Sequence, residues 1–520
     1  MNAAKPSSVR LAEIVALLSL GTDLGLGQPM EHMIRACLVA LRMADRLGLP
    51  AAERRVLYYS GLLAWVGCHT DAYEQARWLG DDLLLKADTH YGFDFGRPLD
   101  VTAFMVKHVG GASRPFFTRL RMGVGFLHEG RRALQSMAEN HYRATDDLAE
   151  RLGLGDDVRA ALKQSFERWD GKGPLRVKGD QILLGSRLIT LTDVVEVFRR
   201  TAGIEAAVAV ARERRGTHFD PALVDLFCEL APELFEGLED KSSWQAVIAA
   251  EPSLAPTVPD EKLDDVLEAL GSFAELKSPW TLGHARGIAE LTAEAGRGYG
   301  LPEGDVVTLR RAAWLHDIGA LGVSNEIWDK RGTLTAAEWE RVRLHPYLAQ
   351  RMLVSSAALA PLGELAFLHH ERLDGSGYPR GLRGDGIPPA ARVLAAADTY
   401  RAMVEARPHR PARTPEEAAA ELRAETSRGR LDGDAVAAVL RAEGHRVPRQ
   451  REYPAGLTGR EVEVLRLLAR GLANKEIAQR LFISAKTVGN HVEHIYAKIG
   501  STNRAGASLF AQRHGLMVDA

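Results

Sequence analysis

The chain has 520 residues, of which 46% are hydrophobic and 26% charged; this excludes a disordered or fibrous polymer and is too much for one ordinary core. Lys and Arg number 66 against 68 Asp and Glu, a net charge of −2, so no whole-chain field favours nucleic acid and any such charge must be local. Three widely spaced cysteines, Cys37, Cys68 and Cys228, make neither a disulfide framework nor a thiolate metal site and suit a reducing cytoplasm.

The first ten residues, MNAAKPSSVR, lead into an apolar stretch broken by Glu13, with no signal-peptide cleavage pattern. No run reaches the roughly 18 apolar residues that a membrane helix needs. The expectation is a cytoplasmic protein without a membrane partner. Ala, Leu, Arg and Glu dominate and β-branched runs are few, which predicts an all-α chain. Two stretches read as linkers, 251–260 with three prolines and 444–456 with Pro, Gly and charge but no apolar period. They divide the chain into 1–250, 261–443 and 457–520.

The first two blocks echo one another. Arg168-Trp169-Asp170-Gly171-Lys172-Gly173-Pro174 parallels Arg372-Leu373-Asp374-Gly375-Ser376-Gly377-Tyr378-Pro379, and a shift of 204 residues pairs His141 with His345 and Asp170 with Asp374. A shift of 252 pairs His32 with His284 and the stretch 57–65 with 309–317, while Asp193 falls opposite Asp398. Anchors in one order at two constant shifts favour duplication over chance. The first copy lacks the side chains that give the second its chemistry: Ala64 and Trp65 stand opposite His316 and Asp317, and Ser165 and Phe166 opposite His369 and His370. It reads as a degenerate copy that packs or senses and does not catalyse.

Block 261–443 is dense in possible metal ligands. His316-Asp317 closes an apolar run, which predicts a pair at the inner end of a buried helix. His345 is expected on another helix, opened by the capping box Thr335-x-x-Glu338. The adjacent His369-His370 follow, and then Asp398 after the apolar stretch 393–397. Imidazole and carboxylate together suit iron, manganese or zinc. A bridging carboxylate such as Asp317 can hold two ions about 4 Å apart, a spacing suited to in-line hydrolysis of a phosphate ester.

The strings His316-Asp317-Ile318-Gly319, His345-Pro346 and His369-His370-Glu371-Arg372-Leu373-Asp374-Gly375-Ser376-Gly377-Tyr378-Pro379 give this block its resemblance to the HD-GYP phosphodiesterases, over nearly all of 280–440. The resemblance implies that His316, Asp317, His345, His369, His370 and Asp398 bind two divalent ions, iron or manganese, with His316 and Asp317 catalytic. It implies that His284, Asp374, Gly377, Tyr378 and Pro379 form the nucleotide site, and that the reaction is hydrolysis of cyclic di-GMP or a related cyclic dinucleotide. Three positions depart from the family pattern. Ala320 replaces a lysine that contacts the substrate phosphate, removing electrostatic stabilisation of a kind worth several kcal/mol. Trp280 stands where three-metal members carry glutamate, which points to two ions. Arg401 stands where aspartate is frequent.

Residues 457–515 are the most legible part of the chain. Thr458-x-x-Glu461 opens a helix with Val464, Leu465 and Leu468 on one face, and Gly471 ends it. Asn474 is expected to cap a second helix, and Ser484 a third after a turn at Phe482-Ile483. Val488, Val492, Ile495 and Ile499 make its buried face. Lys486, Thr487, Asn490, His491, His494 and Lys498 then lie largely off that face, available to a major groove. Lys475, Lys498 and Arg504 are expected phosphate clamps. From Gln450 onward there are ten Arg and Lys against six Asp and Glu, a local charge of +4. The string LTGREVEVLRLLARGLANKEIAQRLFISAKTVGNHVEHIYAKIG is similar to the LuxR-type (GerE-like) helix-turn-helix, which implies a four-helix domain that binds double-stranded DNA as a homodimer. Three readings stay open: a transcription regulator that senses or hydrolyses a cyclic dinucleotide, a phosphodiesterase that uses the helix-turn-helix for localisation, and a non-enzymatic metal-bearing scaffold.

Overall fold

The computed structural model describes residues 9–94, 97–108, 117, 131–238, 242–253, 256–447, 453–481 and 485–517, without some side chains inside those ranges, among them Lys486 and Thr487. Among the described residues every regular element is helical, and extended backbone pairs only in isolated bridges such as Asp374 with Arg383. The composition predicts that outcome. The chain forms two compact units, Met1–His445 and Arg446–Ala520.

The first unit holds both copies, and their elements recur in order. Helices Leu11–Gly25, His32–Arg46 and Ala51–Leu63 run into a 3-10 turn, Val66–His69; Arg131–Arg151, Asp156–Lys163 and Leu184–Ala202 follow later. Their counterparts are Asp260–Glu275, His284–Tyr299 and Glu303–Leu315, the 3-10 turn Ile318–Gly322, and then His345–Leu353, Ala360–Phe367 and Pro389–Val404. Even the loop between the last two helices is built alike. Glu371 accepts from Arg380 N (2.7 Å) and Leu382 N (2.8 Å), as Glu167 does from Leu175 N (2.7 Å) and Val177 N (2.9 Å). Gly375 and Gly171 both take the left-handed conformation, at φ 79° and 75°, that the Asp-Gly turn requires.

Burial fixes where the chemistry ends up. In Glu303–Leu315, Val306, Leu309, Ala312 and Ala313 face the core, so the chain leaves that helix inside the protein, at His316. In Pro389–Val404, the buried stretch 393–397 delivers Asp398 to the same place. One boundary differs from expectation. The Thr335 capping box opens a short helix, Ala336–Arg343, which stops at Leu344, and His345 begins a helix of its own. Pro346, in the first turn, suits a new start and cannot continue an old one.

The two copies pack against each other: Leu11–Gly25 lies on the 3-10 turn Ile318–Gly322 and on His345–Leu353. A Cβ on Gly21 would come within 3.0 Å of both Leu321 Cδ1 and Met352 Cε.

The second unit contains four helices, Gly459–Ala469, Asn474–Leu481, Ala485–Ile499 and Arg504–Arg513. Val464, Leu465, Ile477, Val488, Ile495, Ala507 and Ala511 form its core, with Val492 and Ile499 packed against it. The Thr458–Glu461 capping box is present, and Gly471 is left-handed at φ 91°. Asn474 is the first helical residue and not the cap; Glu476 reaches back to Ala473 N at 2.6 Å. Phe482, Ile483 and Ser484 lie outside the described residues.

Candidate metal centre and DNA-reading face

The helix ends converge on one cluster. His316, His345, His369, Asp398 and His284 are buried, and Asp317 and His370 are partly so. Asp317 Oδ1 lies 3.2 Å from His345 Nε2 and 3.5 Å from His369 Nε2, and Asp317 Oδ2 lies 3.6 Å from His316 Nε2. On the other side, Asp398 Oδ2 is 3.7 Å from His370 Nδ1 and Asp398 Oδ1 is 3.5 Å from His284 Nε2. Ligand atoms fall into three sets within 4.8 Å: His345, His369 and His370; His316, Asp317 and His369; and His284, His316 and Asp398. His369 and His316 belong to two sets each, so the sets are contiguous.

These residues suit a cation better than they suit one another. Three imidazoles donate from Nδ1 to the carbonyl three residues earlier: His316 to Ala313 O (2.7 Å), His345 to Val342 O (2.6 Å) and His369 to Ala366 O (2.5 Å). That assigns the proton to Nδ1 and turns each Nε2 lone pair inward, as backbone partners do for metal-ligating histidines. His345 Nε2 and His369 Nε2 then face each other at 3.2 Å, and although burial opposes its charge, Asp317 raises His369 above its ordinary value. His316 Nε2 and Asp317 Oδ1 are buried without a hydrogen-bond partner. An unpaired buried donor or acceptor costs about 1–3 kcal/mol; a divalent ion among these atoms removes that cost.

The electrostatics point the same way. Burial pulls His316 down to about 4 and His370 well below its ordinary value, which keeps both imidazoles neutral and able to coordinate at pH 7. Burial pushes Asp317 and Asp398 up, but the surrounding histidines outweigh it and hold both carboxylates well below the usual range.

His284, expected at the nucleotide, sits within the ligand sets, and its Nδ1 meets Glu405 Oε2 at 2.7 Å. Burial opposes its charge, but Asp398 and Glu405 raise it to about 9. Glu405 escaped the sequence reading, lying two helical turns past Asp398 at the cap of the same helix. Arg401 and Arg407 flank it at 3.2 and 3.3 Å. Tyr378 stacks at a tilt on His370, ring centroids 4.7 Å apart, and the Arg343 guanidinium lies 5.8 Å from its ring. Gly377 permits this: a Cβ there would be 2.4 Å from Arg372 N and 2.5 Å from His370 O. Pro379 follows on the exposed side of the loop. Asp374 shapes the loop, accepting from Ser376 N (2.9 Å) and Ser376 Oγ (2.6 Å), with Arg430 at 3.6 Å. Ala320 borders a cavity of about 30 Å³ lined also by Glu275, Lys277, His284 and Asp317.

In the C-terminal unit, Lys475, Asn490, His494 and Lys498 are exposed and His491 is half-buried. Lys486 and Thr487 have side chains outside the described residues. Lys498 is already engaged, donating to Glu461 Oε2 (2.8 Å) and Gly456 O (3.2 Å). Arg504 donates to Gly471 O (3.1 Å) and to Leu472 O. Both side chains therefore brace the two ends of the helix Gly459–Ala469. No helix among the described residues is long and apolar enough to cross a membrane.

Comparison with known proteins matches residues 268–435 to the HD domain family and residues 455–511 to the bacterial regulatory proteins of the luxR family. A 3'3'-cGAMP-specific phosphodiesterase 3 of Vibrio cholerae is 33% identical over 437 residues, 83% of this chain and 94% of that protein. A cyclic di-GMP phosphodiesterase of Thermotoga maritima is 37% identical over 187 residues, 35% of this chain and 50% of its own length. The crystal structure of a cyclic GMP-AMP-specific phosphodiesterase from V. cholerae aligns with a TM-score of 0.58 at 29% identity, covering 85% of this chain and 99% of that one.

Proposed function

The chain belongs to the HD-GYP cyclic-dinucleotide phosphodiesterases and carries a LuxR-type helix-turn-helix, and on that premise we propose that it is a DNA-binding regulator whose intact copy hydrolyses a cyclic dinucleotide at a centre of two divalent ions. One observation carries this reading: His345 Nε2, His369 Nε2 and the carboxylate of Asp317 converge within 3.2 to 3.5 Å while the Nδ1 of each imidazole is tied to backbone. His316, Asp317, His345, His369, His370 and Asp398 are the ligands in this account. Bound manganese or iron supplies Lewis acidity to a phosphate and lowers the pKa of water.

The chain's own contribution is positional. The Nδ1 bonds of His316, His345 and His369 orient three ligands before any ion arrives, and His284 with Glu405 fixes Asp398 from behind. Tyr378, backed by His370, offers a flat face to a nucleobase, and Arg343 brings positive charge to that side. Similarity to a 3'3'-cGAMP-specific phosphodiesterase over most of the chain favours cyclic GMP-AMP as the first substrate to try and cyclic di-GMP as the second. In the C-terminal unit, Asn490 and His494 with His491 form the base-reading face and Lys475 the freest phosphate contact, in a homodimer on double-stranded DNA.

The test is hydrolysis of both dinucleotides by the full chain with manganese or iron, in wild type and His316→Ala. Metal-dependent turnover that the substitution abolishes supports the enzyme. Tight nucleotide binding without turnover supports a sensor, a second reading favoured by the uncharged Ala320 at the cavity beside Asp317. For the DNA face, Asn490→Ala with His491→Ala should remove sequence preference in a promoter-binding assay; unchanged preference assigns readout elsewhere.

A further inference from the structure

The intact copy has a carboxylate of the degenerate copy buried inside it. Asp82 is 0% exposed. Its Oδ1 accepts across the boundary from Ser324 Oγ (2.9 Å) and Asn325 N (2.6 Å). Its Oδ2 lies 3.4 Å from Lys86 Nζ in its own copy and 3.7 Å from Lys277 Nζ in the other. Lys277 donates in turn to Leu321 O (2.8 Å) and Val323 O (2.6 Å), and its carbonyl accepts from Asn325 Nδ2 (2.8 Å). Apart from the two lysines' approach to Asp82, these contacts land on residues 321–325, the end and continuation of the 3-10 turn that begins directly after Asp317.

That turn has no slack on its other side. A Cβ on Gly319 would be 2.0 Å from His345 O, so a shift of the turn moves Asp317 and His345 together. Apolar side chains of similar volume would join two copies as well or better, because burying charge has a desolvation penalty that an ion pair only partly offsets. The charge is placed at the one loop that leads out of the His316-Asp317 pair. Burial draws the Lys277 ammonium down to about 8, and Asp82 is the foremost group that holds it up, keeping the full set of donors for the two carbonyls at neutral pH.

We propose that Asp82 and Lys277 are a positioning pair through which the degenerate copy fixes the loop behind Asp317 and sets how tightly the intact copy holds divalent ions. The inference rests on the reading of the histidine–aspartate cluster as a metal site. It gives the worn copy a task in the chemistry without giving it a ligand.

The experiment is Mn²⁺ binding to the full chain by titration calorimetry, at a temperature where melting curves show each variant folded. Asp82→Asn keeps an acceptor for Ser324 and Asn325 but removes the counter-charge of Lys277; affinity should fall about tenfold or more, as for other outer-shell partners of metal ligands. Ser324→Ala removes the hydrogen bond to Asp82 and the cap on Glu326 N (3.2 Å) and keeps the charges, with an expected loss of about fivefold. Asp157→Asn, which breaks an exposed pair with Arg55, should change nothing. An Asp82→Asn protein that melts earlier yet binds Mn²⁺ like wild type overturns the inference, as does unchanged affinity in Ser324→Ala should Asp82→Asn not fold. A wild type that takes up no Mn²⁺ overturns the metal reading itself, and this inference with it.

Discussion

The two copies share a scaffold and differ in what fills its centre. Where the intact copy gathers His316, Asp317, His345, His369 and His370, the first copy packs Trp65, His141, Tyr142 and Phe166. Trp65 meets Phe166 at 5.0 Å between ring centroids, and His141 meets Phe166 at 4.7 Å, both edge-on. Where His284 and Asp398 stand 3.5 Å apart, His32 and Asp193 have closed to 2.9 Å, with Glu196 on the other ring nitrogen and Tyr91 OH 2.9 Å from Nε2. One centre turns His316 Nε2 and Asp317 Oδ1 inward without a hydrogen-bond partner; the other is filled by rings, and its His32 is held between Asp193 and Glu196. The comparison teaches that the glutamate-capped loop and the helix order do not depend on the metal chemistry, because Glu167 keeps its backbone partners in a copy that has lost the ligands.

Emptying the aromatic centre of the first copy carries the largest expected effect. Trp65→Ala removes a large side chain that is 4% exposed and should destabilise the chain by about 3–5 kcal/mol, read by chemical denaturation. Metal content should stay at the wild-type level per folded chain. Loss of metal in folded Trp65→Ala would show that the two centres are not separate in kind.

A smaller effect sharpens the intact side. Glu405→Gln weakens the carboxylate that orients His284, and Mn²⁺ affinity should fall about 10- to 100-fold with the melting temperature nearly unchanged. An unaltered affinity would remove Glu405 and His284 from the account of the centre.

The mildest perturbation is pH. Burial opposes the charge on His32, but Asp193 and Glu196 hold it up to about 10, and they share its surroundings with Tyr91, Asp23 and Arg35. A histidine raised from its ordinary 6.5 contributes stability that is full below that value and lost as pH climbs through about 10. The difference in melting temperature between wild type and His32→Gln should therefore shrink from pH 6.5 to pH 10. A difference that stays constant over that window would show that His32 is not charged in the folded protein.

Much of this was legible in the sequence because the chemistry is local there. The strings around His316 and His369, the capping boxes at Thr335 and Thr458 and the left-handed Gly471 each announce themselves within a few residues. The break at Leu344 was readable from Pro346 but was masked by the stronger signal of the capping box upstream. Other features join residues far apart in the chain and leave no local pattern. Asp82 meets Ser324 and Lys277 only because two copies of one fold pack together, and Glu405 reaches His284 across 121 positions. Trp65 and Phe166 read as lost ligands, whereas the structure shows what replaced them, an edge-on aromatic cluster.

In the proposed function, metal chemistry resides in the intact copy alone. The most direct measurement is metal content of the purified full chain, by elemental analysis after manganese loading, for wild type, His369→Ala and His141→Ala. Two ions per wild-type chain, a loss in His369→Ala and no change in His141→Ala are the expected results. Metal that survives His369→Ala undiminished, or that disappears with His141→Ala in a folded protein, would contradict it.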